Sequence, residues 1–488
     1  MKNLKEITKG AIIAFFGIII SYVLVYLFNI IIARNFGASE VGLYNLGFAI
    51  LTLASPIIVF GLTRGIQRYL PMQIADKDLR KVRGTLKFVY IFTIILSVAV
   101  SSLIFLGSEI IAKEVFNEAS LVLIIKIFSF VIPFNVFNSI SRSIVLSYKK
   151  ANYKVIFEDM LLNSTLILLT LLSISLGYSI IGAVTSYLVS LVLVSFLYLI
   201  IISKITPLFS SKIKTSYVSK ELFSFSYPLM MSSVIIIIIK KMDLLMLGYF
   251  TTALNVGIYA IAVKTALLLL IGLNSVQLIF TPMVSNIHKK GEINELSGLF
   301  KTTTKWIFSI AYPGLLIILL FSENILSIFG PEFTVGYIAL IILGFAQLIN
   351  SATGTCGVII NMIGKSKITL INQIVVLGLN FFLNIKLIPD FGIIGAAIAT
   401  ATSIAVLNLM RLVEVYYFLR IHPYKRTFLK PIIAGLIAFT SVKFIPLFWI
   451  YSLFIFGLLY VSLILLFRLE EEEKTILNLI IKRIRNFI

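Results

Sequence analysis

The chain has 488 residues, 59% hydrophobic and only 13% charged, and its 42 Lys and Arg against 21 Asp and Glu leave a net charge of +21. With a mean hydropathy of +1.05 this is not the composition of a soluble globule, and the single cysteine, Cys356, excludes intrachain disulfides and Cys-clustered metal sites. In a soluble chain the basic excess would point to nucleic acid; here it reads as membrane orientation signal and contact with anionic lipid headgroups.

In chain order, the apolar segments predict about fourteen spans of bilayer-crossing length. They run over 7–33, 41–70, 84–107, 120–147, 154–176 and 179–204 in a first half. A second half has 218–247, 254–281, 299–321, 334–361, 367–388 and 392–419, and a final pair covers 428–446 and 448–468. The first run lacks a small-residue cleavage site and is read as a span, not a removable signal peptide. Connections are short, which leaves little of the chain outside the bilayer.

Positive charge falls on alternate connections. One side holds Lys77, Arg80, Lys81 and Arg83, then Lys149, Lys150 and Lys154, then Lys289 and Lys290, then Arg420, Lys425 and Arg426. The other holds only Arg34, Lys113, Lys126, Lys386 and Lys443. Excess Lys and Arg marks cytoplasmic loops, so the number of spans is even and both termini are expected inside a cytoplasmic membrane.

The halves read as copies. Val41-Gly42-Leu43-Tyr44 recurs as Val256-Gly257-Ile258-Tyr259 at an offset of 215, and Ile180-Ile181-Gly182-Ala183 as Ile393-Ile394-Gly395-Ala396 at 213. Asn135 and Lys150 fall opposite Asn350 and Lys365, again at 215. Six spans per repeat give both halves one orientation, the arrangement of transporters that rock one lobe against the other. The expected organisation is an N-lobe over 1–206, a C-lobe over 207–420, two accessory spans over 421–469 and a cytoplasmic amphipathic tail over 470–488. Pro56, Pro133, Pro228, Pro282 and Pro313 mark places where helices can bend.

Charges within the spans are the candidate functional residues, because an intramembrane charge is costly unless paired or facing a wet cavity. Lys264 lies ten residues into its span, about 15 Å deep at 1.5 Å per residue. Arg64 and Arg142 fall in inner halves, and Lys240, Lys241 and Asp243 toward the outer end of the seventh span. Glu158 and Asp159 lie near the inner end of the fifth, and Arg411 with Glu414 reads as an i,i+3 structural pair. Cations outnumber acids, which suits an anionic phosphate or pyrophosphate group better than a cationic drug or sodium. Gly364-Lys365-Ser366 lacks the glycine a phosphate loop needs, since Ile359 stands there. His288 and His422 have no metal-ligand spacing, and no nucleophile–base pair is visible. Neither catalysis, a cofactor nor a metal site is expected.

Three stretches carry a family resemblance. They are Ala33-Arg34-Asn35-Phe36-Gly37 before Val41-Gly42-Leu43-Tyr44, Asp243-Leu244-Leu245-Met246-Leu247-Gly248 before Val256-Gly257, and Asn380 to Asn384 followed by Leu387-Ile388-Pro389-Asp390-Phe391-Gly392. In order and spacing the chain resembles the polysaccharide-transporter branch of the multidrug/oligosaccharidyl-lipid/polysaccharide exporter superfamily, the O-antigen-type flippases. The resemblance implies an all-α integral membrane fold with fourteen helices, in two pseudo-symmetric six-helix lobes plus two C-terminal helices. It also implies flipping of a polyprenyl-(pyro)phosphate-linked oligosaccharide to the outer leaflet by alternating access, with lipid-linked glycan and membrane lipids as partners and a polymerase or glycosyltransferases alongside. Related flippases hold pyrophosphate with basic residues on the first, second and eighth helices. Here the second and eighth carry Arg64 and Lys264, and the first has Arg34 at its outer end. Substrate-binding candidates are thus Arg34, Arg64, Arg142, Lys240, Lys241 and Lys264; ion-coupling candidates are Asp243, Glu158 and Asp159. A multidrug cation antiporter of the same fold is the alternative.

Overall fold

The computed structural model describes residues 2–210, 213–216, 219–444 and 448–467; the predicted tail over 470–488 lies outside the described residues. Among these, regular structure is entirely helical, as the bilayer requires of a chain without a closed barrel. Eleven helices are long and apolar enough to cross a membrane. Two exceed a single crossing: Ile19–Val59, with 41 residues, and Ser366–Leu419, with 54. Each is broken once by a glycine, Gly37 (φ 77°) and Gly392 (φ 52°), in conformations that a Cβ disfavours. With the fifteen-residue Leu429–Lys443, the helices are consistent with fourteen crossings.

The chain packs as two compact units, Met1–Gly257 and Ile258–Ile488. The first contains α1 (Lys2–Val59), α2 (Leu62–Ala75), α3 (Leu79–Leu106), α4 (Leu121–Ser147), α5 (Ala151–Ser175), α6 (Ile180–Ile205), α7 (Ser219–Phe250) and the first turn of α8 (Ala253–Ala266). Around α4 are packed α1, α2, α3 and α6, and its Ile125, Phe128, Val131 and Ile132 are almost wholly buried. The second span is not one helix as its apolar run suggests. Four residues after Pro56, Phe60 (φ 52°) and Gly61 (φ 69°) are both left-handed, so α1 stops and α2 starts on a new axis. Pro133 and Pro228 instead sit inside continuous helices, and the helix that holds Pro313 bends later, at Phe321 (φ −133°, ψ 24°).

Within the first unit, the repeat motif is itself a contact. Ala38 and Gly42 on α1, and Ala253 and Gly257 on α8, form small-xxx-small pairs that let two helix backbones touch. A Cβ at Gly42 would run into the Ala253 carbonyl, and one at Gly257 into the Ala38 carbonyl.

The segment after α6 is clasped to the start of α3. Arg83 donates from Nε to the Leu208 carbonyl at 3.3 Å and from Nη1 to the Ile213 carbonyl, while Ser216 N–H donates to the Arg80 carbonyl at 3.1 Å. Asp78 caps α3 by accepting from Lys81 N–H, a bond that holds its carboxyl below the usual range. Charge-assisted bonds contribute about 1.5–3 kcal/mol each. Arg83→Ala is therefore expected to speed limited proteolysis within 206–216 by about tenfold or more, with the melting temperature little changed. An unaltered cleavage rate would mean that Arg83 does not hold this segment.

In the second unit α9 (Ile271–Lys290), α10 (Ile293–Ser327), α11 (Tyr337–Thr353), α12 (Cys356–Met362), α13 (Ser366–Leu419), α14 (Leu429–Lys443) and α15 (Trp449–Leu466) follow. Flanking α11 are α10 and α13, and the tenth predicted span divides into α11 and α12 at Gly354 (φ 63°). The accessory pair α14–α15 packs on α10: Ala434, Ala438 and Phe456 meet Phe308 and Tyr312, and Tyr460 donates to the Ser309 carbonyl at 2.9 Å. The repeat extends to side-chain bonds. Ser195 donates to Asn138 at 2.9 Å, and at offsets of 213 and 215 Asn408 accepts from Thr353 at 3.0 Å, with donor and acceptor exchanged.

Candidate functional site

Helices α1, α4, α5 and α6 of the first unit enclose a polar cavity of about 280 Å³. Asn135, Asn138, Ser139 and Arg142 stand at helical spacing on one face of α4, so this face of the helix lines the cavity with polar side chains. Glu158, Asp159 and Asn163 come from α5, Ser21 from α1 and Tyr187 from α6. Along Val155–Leu162 α5 winds as a π-helix, a local widening common at functional positions. Seven to eight residues beyond Ala151, the carboxylates lie about 11 Å from the inner end of the span.

Both carboxylates are compensated. Arg142 Nη1 meets Glu158 Oε2 at 2.7 Å, and its Nη2 donates to Ser139 Oγ at 3.2 Å. The other Glu158 oxygen accepts from the hydroxyl of Tyr198 at 3.0 Å; Tyr198 is fully buried edge-on to Phe157. Lys154 Nζ reaches both oxygens of Asp159 at 2.7 Å. Around these pairs the lining is amide and hydroxyl. Asn163 donates to Ser21 Oγ at 3.3 Å and to the Asp159 carbonyl at 3.0 Å, Asn138 donates to the Leu191 carbonyl at 3.3 Å, and Asn135 hydrogen-bonds Tyr187. The cavity is thus polar and locally neutral, suited to a ligand rich in hydroxyl groups.

The structure brings Arg142, Glu158 and Asp159 together at this cavity, and the other predicted residues are not part of its lining. Arg64 is exposed near the start of α2, past the break at Phe60 and Gly61, and Arg34 is exposed on α1 before Gly37. On α7, Lys240 is exposed, Lys241 lies over the Phe48 ring at 5.4 Å, and Asp243 is buried. Lys264 is half-buried on α8, in the second unit. Sequence reasoning missed Tyr198, Asn138, Ser139 and Asn163. The helical spacing of Asn135, Asn138, Ser139 and Arg142 was the available signal; Tyr198 had none, because a tyrosine in an apolar span reads as core. It also placed Lys154 in a loop, whereas the side chain turns back to Asp159.

The model of the family described as polysaccharide biosynthesis protein matches residues 7–288, and the MatE family model matches 228–385. The membrane protein MJ1068 of Methanocaldococcus jannaschii is 26% identical over 94% of this chain and 95% of its own length. The probable low-salt glycan biosynthesis flippase Agl15 of Haloferax volcanii is 30% identical over 189 residues, 38% of this chain and 40% of that protein. Among solved structures, the lipid II flippase MurJ in an inward closed conformation matches with a TM-score of 0.75 and 20% identity, covering 94% of this chain and 98% of that one.

Proposed function

Because the chain belongs to the polysaccharide biosynthesis protein family, in the polysaccharide-flippase branch of the exporter superfamily it resembles, we propose that it is a lipid-linked oligosaccharide flippase. It moves a polyprenyl-(pyro)phosphate-linked glycan from the inner to the outer leaflet of the cytoplasmic membrane by alternating access, with both termini cytoplasmic. Repeats over 1–206 and 207–420 act as the moving lobes, and no covalent step occurs on the protein. Glycosyltransferases and a polymerase are the proposed neighbours in the reaction sequence, as suppliers and consumers of such a substrate.

One observation carries the glycan assignment: the first-unit cavity is polar without net charge. A cation antiporter needs a carboxylate left for its cation, whereas Glu158 is engaged by Arg142 and Tyr198, and Asp159 by Lys154. Amides and hydroxyls at this spacing match a sugar ring, and 280 Å³ is near the lower end of the roughly 300–1,000 Å³ typical of ligand pockets. Phosphate binding is assigned to Lys264 and Arg64, with Lys240, Lys241 and Arg34 as further cations along the route. A coupling ion would have to compete with Arg142 for Glu158 or with Lys154 for Asp159, or else act at Asp243.

The test is flipping of a fluorescent polyprenyl-pyrophosphate oligosaccharide in proteoliposomes. Wild type is expected to transport it. Lys264→Ala is expected to lower the rate by about 10²-fold or more, the loss of an interaction of roughly 3 kcal/mol with a desolvated anion, at unchanged protein level. Equal rates would remove Lys264 from the site. Transport of a lipophilic cation in place of the glycan lipid would establish the antiporter.

A further inference from the structure

A bulky residue is disfavoured in the left-handed region, yet Phe60, at the break between α1 and α2, has φ 52°. Such a conformation persists only where the surroundings hold it, and here they are the first turns of α7. The Phe60 ring stacks on Phe223 with centroids 4.3 Å apart and meets Tyr227 at 5.9 Å. Phe92 of α3 closes the cluster, edge-on to Phe60 at 5.8 Å and to Phe223 at 5.7 Å. Beyond the rings, two glycines let the helices approach. A Cβ at Gly61 would run into the Ser226 carbonyl, and one at Gly65 would sit 2.6 Å from Ser226 Oγ and 2.7 Å from Leu222 Cδ1. Arg68 extends the contact, with its Cζ 4.4 Å from the centroid of the Phe225 ring.

Three observations set this contact apart from ordinary helix packing. At an offset of 215 the counterparts of Phe60 and Gly61 are Ser275 and Val276, which lie inside the unbroken α9. The break is therefore not a property of the repeat, and it occurs where α7 packs. By sequence α7 opens the second repeat, yet it packs within the first unit. Finally, Ser226 is wholly buried in the seam and its hydroxyl has no hydrogen-bond partner, a cost that a permanent contact would have no reason to carry.

We propose that the first turns of α7 form a latch on the α1–α2 break: docked, they hold Phe60 in its left-handed conformation; released, they let that residue relax and the seam open. The aromatic cluster and the Arg68–Phe225 contact favour the docked state. The backbone of Phe60 and the unpaired Ser226 hydroxyl oppose it, and this opposition keeps the released state within reach. The latch fastens the opening helix of the second repeat to the first repeat, and so names a contact that the alternating-access reading must break. It rests on geometry within Met1–Gly257, and its test measures no transport, so it can fail while that reading stands, and the reverse.

The test places a thiol in the seam by Ser226→Cys in the full-length protein, in proteoliposomes, and follows its reaction with N-ethylmaleimide by mass spectrometry of the peptides. Cys356, buried in the second unit, is the internal control for unfolding. The thiol at position 226 is expected to react at least tenfold faster than Cys356, because the seam opens locally while the rest of the fold stays closed. Phe223→Ala, which removes the centre of the ring cluster, is expected to speed that reaction a further tenfold and leave Cys356 unchanged. If Phe223→Ala fails to fold, Gly65→Ala serves in its place, since its methyl presses on the side chains of residues 222 and 226. A thiol at 226 that reacts no faster than Cys356 would mean that the seam opens only by unfolding, and overturns the latch. A rate at 226 that Phe223→Ala, or its stand-in, leaves unchanged overturns it as well.

Discussion

Gly42→Ala is expected to leave little folded protein in the membrane. The added methyl would enter the backbone carbonyl of Ala253, and a carbonyl fixed in a helix cannot rotate away as a side-chain tip can. Overpacking against side chains costs about 1–3 kcal/mol, occasionally more; here one helix axis must shift, and the expected loss is at or above that range. Gly257→Ala should behave alike, since its methyl meets the Ala38 carbonyl in the same crossing. Because the two substitutions share one contact, the double variant should cost less than their sum. Gly298→Ala is the control. It lies within α10 with nothing near the added Cβ, and is expected to be neutral or to gain up to about 1 kcal/mol. Membrane yield and melting temperature check all four. A Gly42→Ala protein as abundant and as stable as Gly298→Ala would mean that the helices do not cross here.

The second large effect is expected at the Arg142–Glu158 pair. Arg142→Gln leaves the Glu158 carboxylate with Tyr198 as its remaining partner, and Glu158→Gln leaves the guanidinium without its anion. Removing one member of a buried pair costs about 3–5 kcal/mol. The Arg142 side chain keeps 38% of its exposure, so solvent screening should hold each single variant to the lower part of that range or below. The double variant Arg142→Gln/Glu158→Gln should recover most of the melting temperature, since no charge is then left uncompensated. Transport separates structure from function. If the pair only holds α4 to α5, the double variant should flip glycan lipid normally; if it contacts the sugar, transport should stay low while stability returns. Single variants within about 0.5 kcal/mol of wild type, the scale of neutral surface changes, would show that the pair does not hold the site together.

The charges show where sequence reading succeeds and where it stops. Loop lysines and arginines are legible because the bilayer treats them one at a time, and their order along the chain is itself the topology signal. Charges within spans are legible as anomalies, and Arg142, Glu158 and Asp159 were all singled out. Their roles were not, because a role depends on a partner, and the partners come from other helices. Arg142 looked like a spare cation for substrate and the acids like free carboxylates for an ion, until α4, α5 and α6 brought Arg142, Glu158 and Tyr198 within hydrogen-bonding distance. For Arg411 the expectation held in charge but not in contact: Glu414 interacts with it electrostatically, while Glu414 hydrogen-bonds Asn372 and the guanidinium lies against Gly357.

By itself, the sequence determined the environment, the helical class, the doubled architecture and the family, because apolar length, loop charge and motif order act locally along the chain. The recurrence of Val-Gly-aliphatic-Tyr was also visible there, but not its meaning. Only the tertiary structure decided that Gly42 and Gly257 touch each other's helices, that the second span breaks at Phe60 and Gly61, and which intramembrane charges are neutralised. The physical reason is range. Hydropathy is a property of a segment, whereas a helix crossing, a backbone break under packing and an ion pair each depend on atoms that only folding brings within a few ångströms.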